Sequence, residues 1–303
     1  AAEGSTAAAP IGGTDMRAAQ LPPPGLYGGA IALHIEAHKF YDGQGKAVPA
    51  LNGLHLTRER GGVFLGYVPN LQIFGGSIAL RGMLPFGREC GKVFEATPSR
   101  CIDGLGDPYV EVDWSRYFGT PRLSHYAGAL PIAEGLTVLL GFGAAVPLGR
   151  FNAEDATRQG LVTCYNVWDF APIVGFTYMT RPILAEGTEI SAKLYWNNYL
   201  ENPATHYETG PLLNTTFAIT ERIGRLQVGL AGFYAAQPSG DKQFGVSIPP
   251  DGRRADTLQL GGVAAYDLPE IQTTVKLKGL ATVITDNTVG TYGISLSFIR
   301  KLD

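Results

Sequence analysis

The chain has 303 residues, 45% of them hydrophobic and only 17% charged, with a formal net charge of -3. A balance so close to neutral, with no cluster of Lys or Arg, excludes nucleic acid as a partner, because phosphates demand a concentrated basic face. No run reaches the roughly 20 apolar residues of a membrane-crossing helix, while 40 Gly, 14 Tyr and 14 Phe weigh toward β-structure.

Residues 1–25 are rich in Ala, Pro and Gly, lack periodicity and end in Pro22-Pro23-Pro24-Gly25. They read as an irregular leader ahead of a β-domain spanning 26–303. Its small-residue start, Ala1 to Pro10, looks like the N-terminus left by signal-peptide cleavage. A leader with a free end on the periplasmic side could enter a lumen as a plug.

From Leu26 onward, twelve segments with period-2 patterning alternate with turn chemistry, at about 26–41, 52–68, 71–86, 107–118, 135–146, 164–180, 188–201, 207–222, 225–238, 257–268, 270–285 and 290–302. In the first, Leu33, Ile35 and Ala37 oppose His34, Glu36 and His38, and the polar trio is assigned to the inner face. Side chains at i, i+2 and i+4 share a face, so a metal or acid/base site there is conceivable; polar lumen lining is the simpler account. His55 in the second segment and Arg81 in the third are assigned inward as well.

Cys90 and Cys101 flank the polar stretch CGKVFEATPSRC, for which a disulfide and two free thiols both remain open. The spacing is no metal signature. Asp103-Gly-Leu-Gly-Asp107-Pro lacks the regular calcium-loop spacing and reads as a turn. Glu111 and Asp113 follow on an inner face. The connection 119–134 is too long for a barrel's short side. Gly141-Phe-Gly143 opens no helix and reads as strand punctuation. Cys164 reads as a small packed residue. Pro172 lies inside a strand, cannot donate a ladder hydrogen bond, and marks a bulge or a gap in the wall.

Lys193 opposes Ile190, Ala192, Leu194 and Trp196, and Arg222 opposes Leu213, Phe217 and Ile219. The clearest alternation is Ile271 to Val283, where Lys276 and Lys278 point away from Val275, Leu277 and Val283. Alternation alone also describes a soluble sandwich. Segment length decides: many run to 12–17 residues, whereas soluble strands cluster near 5–6 and a tilted membrane strand needs about 9–11 plus extensions. Minimal turns such as Ile223-Gly224 also alternate with long polar loops, and an even count lets first and last strands pair. The expected fold is all-β, a twelve-stranded antiparallel transmembrane β-barrel.

Four stretches carry a family resemblance: Gly104-Leu-Gly-Asp107-Pro-Tyr, Asn166-Val-Trp168-Asp-Phe170-Ala-Pro172, Glu201-Asn202-Pro-Ala-Thr205-His-Tyr207-Glu-Thr-Gly210, and Gly229-Leu-Ala-Gly232-Phe-Tyr234-Ala-Ala-Gln237. In their order the chain resembles the outer-membrane channel family labelled a meta-pathway phenol-degradation protein. The resemblance implies a barrel in the outer membrane with a transport role, and small hydrophobic or aromatic solutes. No Gly-x-Ser-x-Gly elbow is present, and the histidines form no motif with a Ser and an acid.

The expectation is therefore a monomeric passive uptake channel in the outer-membrane lipid bilayer, with no cofactor, no metal and no enzymatic activity. Its lumen is assigned to His34, Glu36, His38, His55, Arg81, Glu111, Asp113, Lys193, Arg222, Lys276 and Lys278, a set whose slight basic excess implies mild anion preference. The alternatives are a general small-solute pore and an outer-membrane barrel enzyme.

Overall fold

The computed structural model describes residues 14–51, 53–92, 98–249 and 251–303. Twelve long strands form its frame: β1 (Gly25–Phe40), β2 (His55–Val68), β3 (Gly76–Lys92), β4 (Tyr109–Arg122), β5 (Ile132–Ala145), β6 (Asp169–Met179), β7 (Thr188–Tyr199), β8 (Leu212–Ile223), β9 (Leu226–Ala236), β10 (Asp256–Leu268), β11 (Thr273–Asp286) and β12 (Val289–Lys301). Each pairs antiparallel with its chain neighbours. The ring closes between β1 and β12, with Leu33 opposite Ser295. Closure leaves no sheet edge to solvate, the condition for burying a sheet in lipid.

The outer face is apolar. Leu136, Leu140, Phe142, Val174, Phe176, Ile190 and Trp196 on β5 to β7 are exposed, while their alternating neighbours Thr137, Leu139, Ile173, Thr177, Ser191 and Lys193 are buried. This inverts a soluble domain, and an apolar belt so extensive marks a surface made for hydrocarbon. The protein is an integral outer-membrane β-barrel.

The expected long connection at 119–134 is not one. β4 and β5 stay in register down to Arg122 opposite Ile132, leaving residues 123–131 as the turn. Glu134 holds this extension, its carbonyl accepting from the Tyr117 hydroxyl (2.6 Å) and its carboxylate from Arg122 Nε (3.0 Å).

Pro172 interrupts the pairing with β7 without shifting it. It stands opposite Phe142 of β5, and on the other side Phe170 pairs with Asn198 and Ile173 with Tyr195 in one register, the pairs skipping Ala171 and Pro172. A proline costs β6 a ladder bond without shifting the strand.

The wall changes partner elsewhere. β3 pairs with β4 only from Ser77 to Met83, and above that with the short strand Arg100–Leu105. Pro85 and Pro108 flank the changeover. A lipid-facing groove of about 460 Å³ lies at this seam, lined by Leu65, Tyr67, Leu80, Gly82, Val110 and Phe142. Cys90 and Cys101, paired above it, are joined by a disulfide (S–S 2.05 Å); residues 93–97 between them lie outside the described residues.

Candidate functional site

Seven of the residues assigned to the lumen lie on inner faces, and the wall brings four of them together. Lys193 of β7, with no exposed surface, reaches past β6 and β5 to Glu111 (2.5 Å) and Asp113 (3.4 Å) of β4. Arg81 of β3 completes the group at 2.7 Å from Asp113. The reach needs a bare wall between, which Gly141 and Gly143 of β5 provide. A Cβ at Gly141 would collide with the Asp113 carboxylate, and one at Gly143 with the Tyr109 phenol. The Gly-Phe-Gly motif is therefore a packing device, with Phe142 turned to lipid.

Arg222 of β8 pairs with Asp267 of β10 at 2.7 Å. Lys276 and Lys278, successive inner positions on β11, both meet a residue of the leader, Asp15, at 2.8 and 2.6 Å.

Residues 1–13 of the leader lie outside the described residues, and residues 14–21 run along the inner faces. The Arg17 guanidinium donates to both Asp267 oxygens (3.0 and 2.8 Å) and to Gln227 (3.0 Å), and its backbone N–H to Glu189 (2.7 Å). The N–H groups of Ala18 and Ala19 donate to Ser191 (2.8 Å) and Thr177 (3.0 Å), and the Ser115 hydroxyl to the Ala19 carbonyl (2.5 Å). Met16 packs on Ala218, Ala231, Val263 and Ala265. Small inward residues make the room, and polar ones satisfy a backbone that forms no ladder of its own.

A second segment enters from the other end. The loop after β5 carries helix α1 (Ala153–Gln159), capped by Asn152 Oδ1 on two backbone N–H groups (2.9 and 3.1 Å) and stopped by Gly160 at φ 65°. Beyond it the chain turns inward, and Leu161 packs on Ala37, Leu54, Leu56 and Val289. Arg60 of β2 donates to the carbonyls of Val162 (2.5 Å) and Thr163 (3.0 Å), while Glu89 braces Arg60 and Arg58, each at 2.8 Å. Cys164 is buried behind them, and burial, with the nearby Asp107 charge, pushes its thiol up to about 12.

Four assignments are corrected. Glu36 stands opposite Tyr292 in the closing pair, and Tyr292, Ile294, Leu296 and Phe298 are 47–53% exposed on the outer face. His34, Glu36, His38 and His55 therefore lie outside, in a chain of contacts: Glu59 to His34 (2.5 Å), His34 to Glu36 (3.1 Å), Glu36 to His38 (3.1 Å) and His38 to His55 (3.1 Å). The inner face of β1 there is apolar instead, with Ala37 1% exposed beneath Leu161.

A family model described as "Putative MetA-pathway of phenol degradation" matches residues 37–298, most of the chain. The chain belongs to this family. Its fold is similar to that of an outer membrane channel from Pseudomonas putida F1, with a TM-score of 0.74 at 14% identity over 93% of this chain and 96% of that one. Weaker likenesses include the β-domain of the Bordetella autotransporter BrkA (TM-score 0.47, 11% identity, 92% and 99% covered) and the transport unit of the autotransporter AIDA-I from Escherichia coli (0.47, 9%, 92% and 90%). No curated protein matches the chain by sequence.

Residues from all four stretches that carried the family resemblance lie at the loop end of the barrel. Asp107 accepts backbone N–H groups from Gly149 (3.0 Å), Tyr165 (2.9 Å) and Asn166 (3.1 Å), pinning both ends of the inward loop. Asn202 Oδ1 takes the Asn166 side chain (2.9 Å) and the Ala204 N–H (3.0 Å), and Gln237 bridges Asp241 (2.7 Å) to the Ala255 N–H (2.8 Å). Sequence reasoning missed Arg58, Arg60, Glu89 and Asp267. Arg58 and Arg60 carried the signal that found Lys276 and Lys278, two cations at i and i+2.

Proposed function

We propose that the protein is an outer-membrane channel for passive uptake of small, hydrophobic or aromatic molecules, closed at rest by its own N-terminal segment. The observation that carries this reading is the character of the interior. It is lined largely by ionisable and hydroxyl side chains, and residues 14–21 are held in it mainly by hydrogen bonds and ion pairs, contacts that water can replace, with small apolar patches only under Met16 and Ala19. An apolar core could not be vacated in the same way.

The structural likeness to an outer membrane channel of 14% identity supports the architecture, and family membership supports a role near aromatic compounds. The apolar groove at the β3–β4 seam supports a solute that partitions into lipid. A general small-solute pore is the second reading, favoured by Lys276 and Lys278, which supply positive charge to the lumen. An enzymatic barrel has less support, because the dense His34–Glu36–His38 group sits on the outer wall.

Planar-bilayer recording and liposome uptake test the reading. Deleting residues 1–24 is expected to raise conductance, and unchanged conductance would refute the closure. Liposomes carrying the deleted form are expected to admit a labelled monoaromatic faster than a small sugar; equal rates would leave the general pore.

A further inference from the structure

The outer face of β4 changes character toward its periplasmic end, the side of a barrel that short turns mark. Val110, Val112, Trp114, Arg116 and Phe118 alternate outward there, between the buried Glu111, Asp113 and Ser115. A guanidinium on a lipid-facing wall is costly unless a polar group meets it. Arg116 is exposed, and among the described residues no carboxylate lies within ion-pair distance of it.

This arginine is nevertheless held in place. The turn between β2 and β3 folds back onto the wall, its Ile73 carbonyl accepting from Trp114 Nε1 (2.7 Å) and its Phe74 carbonyl from Arg116 Nη1 (3.1 Å). The guanidinium carbon stands 4.8 Å from the centre of the Phe118 ring. Gly75, at φ 72°, leaves room for it, since a Cβ there would come within 3.3 Å of that carbon. Among the described residues, Nε and Nη2 have no hydrogen-bond partner. A positioned planar fork with unused N–H groups matches the oxygens of a phosphate. Trp114 and Phe118 flank it and Phe74 beside it is 87% exposed, and such an aromatic belt marks the headgroup level of a bilayer.

The lipid-facing groove at the β3–β4 seam continues from this point. Val110 and Val112 line it and lie six and four residues from Arg116 on the same outer face, about 13–20 Å along the strand. Of its twelve lining residues ten are apolar, aromatic or glycine; the other two, Arg81 and Glu111, belong to the ionic group around Lys193. Gly82 leaves its floor bare, for a Cβ there would find no atom nearer than 4.0 Å. The volume of about 460 Å³ falls in the range of roughly 300–1,000 Å³ usual for ligand sites.

We propose that Arg116 and this groove form one binding site for a phospholipid of the periplasmic leaflet, with the phosphate on Arg116 and an acyl chain in the groove. A chain seated there packs the seam where β3 changes partner. The proposal goes beyond the channel reading and does not depend on what the lumen carries.

The test is native mass spectrometry of the full chain, extracted in detergent, stripped of lipid and titrated with dioleoylphosphatidylglycerol. One retained lipid per barrel is expected. Arg116→Gln is expected to lower its occupancy about tenfold, the loss of one charge-assisted contact, and Gly82→Leu to lower it by filling the groove. Arg181→Gln, which alters an exposed arginine of the β6–β7 turn, is expected to keep wild-type occupancy. Dioleoylglycerol, which lacks the phosphate, is expected to bind weakly, and excess inorganic phosphate to leave the lipid bound. Arg116→Lys, which keeps the charge but not the fork, serves if Arg116→Gln does not assemble, assembly being read from the gel shift between boiled and unboiled protein. Wild-type occupancy in the Arg116 variant, equal binding of dioleoylglycerol, or an equal loss in Arg181→Gln would each overturn the headgroup site. Wild-type occupancy in Gly82→Leu, or displacement by inorganic phosphate, would overturn the acyl-chain seat and leave a plain anion site.

Discussion

Two glycines on the inner face of β5 decide how the wall charges meet. Any side chain at Gly143 must displace the Tyr109 ring, whose hydroxyl donates to Glu111 (3.0 Å). Gly143→Ala is therefore expected to cost about 1–3 kcal/mol, as overpacking does, read as a lower urea midpoint for the gel-shifting folded form. Lys193→Ala acts differently, since it leaves Arg81 as the one cation beside Glu111 and Asp113. Removing one member of a buried ionic group costs about 3–5 kcal/mol, and the same midpoint is expected to fall further than for Gly143→Ala. The cysteines give a chemical readout. With its thiol raised to about 12, Cys164 is fully protonated at pH 8 and shielded, so the folded protein should take up no maleimide. Denaturation without reductant should give one adduct and denaturation with reductant three, because Cys90 and Cys101 are bonded. An adduct on the folded protein would contradict the burial.

At the scale of elements, the hold of the barrel wall on the inward loop is testable at one residue. Arg60 grips it through two carbonyls and is itself braced by Glu89. Arg60→Ala is expected to release residues 161–164 and bring Cys164 into reach of maleimide in the folded state, with the gel shift retained. The strands themselves were legible in the sequence, because period-2 alternation over long segments reports the membrane directly, and β11 with Lys276 and Lys278 opposite Val275 and Leu277 was the plainest. β1 was misread for a physical reason. Its inner positions Leu33, Ile35 and Ala37 are apolar because they line the cavity and meet Leu161, while Ala30, Ala32 and His34 face out. Polarity marks the lumen side only where the lumen is wet. The leader's path was illegible beyond its composition, since the wall side chains that hold Asp15 and Arg17 lie 172 to 263 residues away.

For the whole molecule, two segments enter one lumen from opposite ends, the leader against β4 to β11 and the loop around Leu161 against β1, β2 and β12. Ions crossing the barrel must pass both in sequence, and resistances in series add. Removing either obstruction alone leaves the other in the path, so each single change gains less than its own share of the blockage suggests. The expected outcome is that deletion of residues 1–24 and Arg60→Ala each raise conductance modestly, while the combined form exceeds the sum of the two increments. If the deletion alone reaches the conductance of the combined form, the inward loop is no barrier and the leader is the whole of the closure. If Arg60→Ala alone does so, the leader leaves a path beside it, and the ion pairs of Asp15 and Arg17 hold it against the wall without sealing the bore.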